Sequence, residues 1–120
     1  MKIAISSQNK RTVTKHAGMC KNFLVYTIEN KNIINKEIVM LSEEQTLKSI
    51  FHGLSAETYN SIFDCDVLLT GSVGQGGIRN LAQRGVKAYN IIEKDPQKAV
   101  ESLLAGTLKV AEAPAHGHKH

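Results

Sequence analysis

The chain has 120 residues, 42% of them apolar and 22% charged, which suits one folded domain and excludes an intrinsically disordered protein. Lysines and arginines number 15 against 11 acids, a net charge of +4. No apolar run approaches the roughly 20 residues that cross a bilayer, and the start Met-Lys-Ile-Ala-Ile is too short for a signal peptide. Membrane insertion and secretion are therefore not expected, and a cytoplasmic location is.

Residues 2–5 read as a short strand, ended by the polar run 6–10. A basic loop follows, with Lys10, Arg11, Lys15 and Lys21 within twelve residues, a density that attracts anions. The same loop holds His16 and Cys20. Imidazole and thiolate are borderline-to-soft metal donors, and nearby cations favour both the thiolate and a bound anion. By spacing alone, an ordinary polar loop remains the more common reading of such a pair. Residues 22–29 form a second strand, Asn30, Lys31 and Asn32 supply turn chemistry, and residues 33–41 make the hairpin partner.

Ser42 with Gln45 has capping-box spacing, and Leu47, Ile50, Phe51 and Leu54 line one helical face. Gly53 interrupts that face, and Ser55 is placed to cap a second piece carrying Tyr59, Ile62 and Phe63. His52 reads as structural. Residues 66–71 (Asp-Val-Leu-Leu-Thr-Gly) are a buried strand with Cys65 as a small hydrophobe before it, and Asp64 and Asp66 mark its exposed start. The glycine-rich turn with Gly71, Gly74, Gly76 and Gly77 opens a helix with Ile78, Leu81 and Ala82 on one face, closed by Gly85. Glycines there let backbone N–H groups approach an anion at the helix N-terminus, with Arg79 one turn in. The turn lacks the Lys-Ser/Thr of a P-loop and the spacing of a dinucleotide site. A tight strand-to-helix turn with no ligand is the equal alternative.

Residues 86–91 are the last strand. Asp95 and Pro96 begin a helix lined by Ala99, Val100, Leu103 and Leu104 up to Gly106. The order β-β-β-α(α)-β-α-β-α, a hairpin and then βαβ units, predicts an α/β fold with a mixed five-stranded sheet and helices on its faces. If the first strand and the 67–70 strand are parallel neighbours, their following loops meet at one sheet edge, placing His16 opposite residues 74–77. The domain is expected over residues 1–108, with 109–120 a flexible His-rich tail. In that tail His116, His118 and His120 alternate, a pattern that suits a divalent metal. Cys20 and Cys65 form no spaced framework and are expected as free thiols.

The segments Met-Lys-Ile-Ala-Ile, His16-Ala-Gly18 with Cys20, residues 64–71 (Asp-Cys-Asp-Val-Leu-Leu-Thr-Gly), Gly74-Gln-Gly76-Gly77 and the run from Leu81 to Tyr89 together resemble the dinitrogenase iron–molybdenum cofactor biosynthesis family. That family includes NifX, the cofactor-binding domain of NafY and the C-terminal region of many NifB proteins. The resemblance implies a ribonuclease H-like three-layer fold. It also implies a non-enzymatic protein that binds or carries iron–molybdenum cofactor, its precursor, or a related molybdenum-containing cluster such as a molybdenum–copper sulfide. A family histidine in the loop after the first strand is implicated as a ligand, and His16 matches it. Cys20 matches a position that is Cys in a number of relatives. Nuclease chemistry on such a fold needs an acid on the first strand, and residues 2–7 hold none.

The leading expectation is a carrier of an anionic metal–sulfur cluster, acting in nitrogen-fixation cofactor synthesis or delivery. His16 and Cys20 would be its metal ligands, Lys10, Arg11, Lys15 and Arg79 its charge, and Gly74, Gly76 and Gly77 its backbone approach. Cofactor-synthesis or acceptor proteins are the expected partners, and nucleic acid and membranes are not. The alternatives are a regulatory module taking a phosphate ligand at residues 74–77, and a metallochaperone using the His-rich tail.

Overall fold

A computed structural model describes residues 1–52 and 60–111. Six strands form one mixed sheet in the order β3-β2-β1-β4-β5-β6. Strands β1 (Lys2–Ser6), β2 (Asn22–Glu29) and β3 (Asn32–Met40) make an antiparallel meander. The β2–β3 hairpin turns on Asn30 and Lys31, at φ 51° and 65°, the left-handed pair whose twist matches that of the strands. Strands β4 (Val67–Thr70) and β5 (Lys87–Ile91) then run parallel to β1. The parallel β1–β4 pairing brings together the two loops expected to meet.

Alternate residues of the central strands feed two cores. Ala4, Phe23, Val25, Leu68 and Ala88 face one side, where they are covered by Leu47, Ile62 and Leu81. Ile3, Ile5, Leu24, Tyr26, Leu69 and Ile91 face the other, under Ala99 and Val100. Helices α1 (Leu47–Phe51) and α2 (Gln75–Gln83) thus lie on one face and α3 (Pro96–Ala105) on the other. The result is three layers, as the alternation of strand and helix patterns predicts.

The structure departs from the expected elements in three places. The sheet has a sixth strand, β6 (Val110–Ala111), pairing antiparallel with β5 inside the stretch expected as tail. Two residues are too few to show a period-2 pattern, so nothing in the sequence marks them as a strand. The segment expected as one or two helices from Ser42 is a 3-10 turn, Glu43–Gln45, then the five-residue α1. The Ser42–Gln45 capping box is present, but extended backbone at Thr46 separates the two pieces. The Thr46 hydroxyl then caps α1 itself, accepting from the Ser49 N–H. Ile62 and Phe63 lie in a second 3-10 turn, Ser61–Asp64, capped by Asn60. Gly53, Leu54, Ser55 and Tyr59 lie outside the described residues, as do His116, His118 and His120.

The caps of α3 are as read from the sequence: Asp95 accepts the Lys98 N–H, Pro96 opens the helix, and Gly106 closes it at φ 77°. Among the described residues no helix is long and apolar enough to cross a membrane.

Candidate functional site

The loop after β1 is fastened to the sheet by a buried polar knot. The Ser6 hydroxyl donates to the Thr14 carbonyl (2.7 Å) and shares a 2.6 Å bond with the Thr70 hydroxyl of β4. The Gly71 N–H donates to that same Thr14 carbonyl at 3.0 Å. A Cβ at Gly71 would lie 3.1 Å from the Thr14 oxygen and 3.0 Å from Lys15 Cγ, so glycine is what lets the two loops meet. Two residues on, the His16 N–H donates to Ser72 Oγ (2.9 Å) and the Ala17 N–H to the Ser72 carbonyl (3.0 Å).

These bonds hold His16 at φ 61° and ψ 57°, left-handed backbone that is uncommon for a residue other than glycine. Such strain costs on the order of 1–3 kcal/mol and persists only where the surroundings over-determine it. His16 begins a short 3-10 turn, Ala17–Met19, and its side chain stays exposed.

The facing wall is the β4–α2 turn. Asn90 of β5, buried, clamps it from below: its Oδ1 accepts from the Val73 N–H (2.6 Å) and its Nδ2 donates to the Val73 carbonyl (3.0 Å). Gly74 is the N-cap of α2 and brings no side-chain cap, and the first turn of the helix has no acid. The amide N–H groups at that end are left to a ligand or to water.

Between these walls lies a cavity of about 520 Å³. His16, Gly18 and Met19 line one side, and Ser72, Gly74, Gly76 and Gly77 the other. A third wall comes from α1, where Lys48, Phe51 and His52 line the cavity. Phe51 stacks on Phe63 with ring centroids 6.2 Å apart, and the Arg84 guanidinium lies 5.0 Å from each ring, which ties α1 to the end of α2. Among the described residues the lining holds two imidazoles and an ammonium and no carboxylate. Chemically it is a cradle for an anion that can also accept a nitrogen ligand.

The sequence-derived candidates divide. His16, Gly74, Gly76 and Gly77 come together as expected. Cys20 does not line the cavity: it is buried, its Sγ donates to the Asn22 carbonyl at 3.0 Å, and burial pushes the thiol up from its ordinary value. Lys15 packs against Gly71, and Arg79 is exposed one turn into α2; neither lines the cavity. Lys10 and Arg11 line a different cavity, with Tyr26 and the first turn of α3. Their side of the loop turns away because Asn9 Oδ1 accepts the Arg11 and Thr12 N–H groups, and the Val13 N–H donates to the Lys94 carbonyl. Lys48 and His52 also line the cavity, and no sequence motif marks them. His52, expected to be structural, is the exposed C-cap of α1. Among the described residues no group of three or more His, Cys, Asp or Glu is set to hold a metal ion on its own.

The family model described as dinitrogenase iron–molybdenum cofactor matches residues 1–106. The chain belongs to that family. The resemblance carried by the sequence motifs is therefore correct over nearly the same span, and the family is one of cofactor-binding and biosynthesis-associated domains. An uncharacterised protein of Methanocaldococcus jannaschii is 28% identical over 114 residues, spanning 93% of this chain and 92% of that protein. Among solved structures, a candidate dinitrogenase of the same organism matches with a TM-score of 0.68 at 18% identity, covering 95% of this chain and 97% of that one. The apo form of the orange protein of Desulfovibrio gigas matches at 0.62 and 21%, covering 94% of each chain. At such identities the likeness is one of fold, and the α/β architecture of the family is the architecture found here.

Proposed function

We propose that this member of the dinitrogenase iron–molybdenum cofactor family is a non-enzymatic carrier of an anionic metal–sulfur cluster. The cargo is iron–molybdenum cofactor, its precursor or a related molybdenum-containing cluster, taken up in the cytoplasm and passed to an acceptor protein. It sits in the cavity between the β1 loop and the β4–α2 turn, with His16 as principal protein ligand. The observation that carries this reading is His16 itself, held in left-handed backbone by Ser72, across the cavity from a helix N-terminus that has no side-chain cap.

The division of labour follows from charge and reach. Lys48 and the α2 amides offset negative charge, Gly76 leaves room for the cargo to approach the backbone, and His16 supplies a metal–nitrogen bond. Few protein ligands suit a carrier, because the cargo must leave again. Cys20 has no part in this reading, since a buried, hydrogen-bonded thiol with a raised pKa is a poor metal donor.

The test is anaerobic. The chain is mixed with iron–molybdenum cofactor, and separately with a tetrathiomolybdate–copper mixture, then desalted and assayed for bound metal. Retention by wild type and by a chain truncated after Ala115, with most of it lost in His16→Ala, is expected. Equal retention by His16→Ala would remove the proposed ligand, and loss only on truncation would move the function to the tail histidines.

A further inference from the structure

On the opposite face of the sheet lies a second cavity of about 560 Å³, between the β1 loop, β3 and the first turn of α3. Lys10, Arg11, Lys36 and Lys98 line it. None of the four is ion-paired with another described residue; the salt bridge found there joins Lys21 to Glu43 elsewhere. Two carboxylates share the wall, and both are engaged locally: Asp95 accepts the Lys98 N–H at 3.1 Å, and Glu101 accepts from Gln97 at 3.2 Å.

Tyr26 also lines this cavity. It is only 1% exposed, and its hydroxyl is buried with no hydrogen-bond partner among the described residues. Folded proteins rarely leave such a group unmet, because its lost hydration is not replaced. Burial, and then the charge of Asp95, push the phenol above its ordinary pKa, so it remains a donor. The Lys36 ammonium lies 5.6 Å from the centre of the same ring. Four cations against two acids leave an excess of positive charge beside an unmet donor. A single negative charge gains little against Asp95 and Glu101, whereas several charges on one small molecule gain from all four cations.

We propose that this cavity binds a small phosphate-bearing polyanion, one of whose oxygens accepts the Tyr26 hydroxyl while Lys10, Arg11, Lys36 and Lys98 surround it. The site is independent of the cluster cavity and does not rest on the cluster reading.

The test titrates sodium pyrophosphate into the full chain at constant ionic strength, following amide shifts and Tm. Wild type should show a rise in Tm beyond that given by sodium chloride, with shifts at residues 10, 11, 97 and 98. Tyr26→Phe should fold with an equal or higher Tm, because an unpaired polar atom is gone, and should bind pyrophosphate roughly tenfold more weakly. Lys36→Glu with Lys98→Glu should abolish binding, and His16→Ala should leave it unchanged. The proposal is overturned if pyrophosphate acts no differently from chloride, if Tyr26→Phe binds as wild type does, or if His16→Ala is the variant that loses the effect.

Discussion

At His16 the proposed role as ligand comes with a conformational cost. Glycine at this position removes the imidazole and relieves the left-handed backbone at once, so His16→Gly is expected to hold or raise stability by up to about 1 kcal/mol while cluster retention is lost. Urea unfolding beside the retention assay checks this; a destabilised His16→Gly would mean that the imidazole packs rather than binds. The buried cysteines make the opposite contribution, as small apolar groups. The Cys65 thiol, pushed up by burial to about 11 from 9.0, is still protonated in the fold where the unfolded chain has ionised. The stability tied to this group is therefore complete below about pH 9 and is lost as pH rises toward 11, at up to about 1.4 kcal/mol per pH unit. Urea midpoints across that range should fall less steeply for Cys65→Ala than for wild type; parallel profiles would contradict the assignment.

At the level of elements, the two adjacent glycines in the first turn of α2 serve different ends. A Cβ at Gly77 would lie 2.8 Å from Val73 Cγ2, on a β-branched side chain held in place by the Asn90 clamp. Gly77→Ala should destabilise by about 1–3 kcal/mol through overpacking. A Cβ at Gly76 meets nothing nearer than an Arg79 nitrogen at 4.0 Å, so the helix gains from Gly76→Ala by up to about 1 kcal/mol. The same methyl group enters the space proposed for the cargo. Gly76→Ala is thus expected to melt higher and retain less cluster, and a variant retaining as much as wild type would argue that the cargo does not approach α2. The pair separates a glycine needed for packing from one that faces open space, a distinction that the sequence run 74–77 does not contain. Likewise α1 begins only at Leu47 because Thr46 caps it afresh after the first 3-10 turn, and its end at Phe51 leaves His52 as the exposed C-cap.

For the whole molecule, the sheet order sets a gradient of stability. β1 and β4 are central, paired on both sides and covered on both faces, while β3 and β6 are edges. Native-state hydrogen exchange should leave the amides of residues 3–5 and 68–69 the last to exchange and those of β3 and β6 among the first. The site hangs from the carboxyl ends of the two most protected strands. A rigid base under the candidate site is expected from that placement, and rapid exchange at β1 or β4 would refute it.

Local pattern was enough for most of the fold. The period of apolar residues, the Asn30–Lys31 turn, the Asp95–Pro96 cap and the Gly106 stop are each written within a few neighbouring residues, so the hairpin, the parallel strands and α3 were legible directly. His16 facing residues 74–77 was legible too, because adjacent parallel strands must bring their following loops to one edge. What lay beyond the sequence was the direction in which each loop residue faces. Lys10, Arg11, Lys15 and Cys20 share one short segment with His16, yet Asn9, Ser72 and the Thr14–Gly71 contact send them to different sides of the sheet. Lys48, His52 and Asn90 reach the site from other elements, and no spacing announces a contact made through space. The chain alone determined which elements form; the packing of those elements decided which side chains meet.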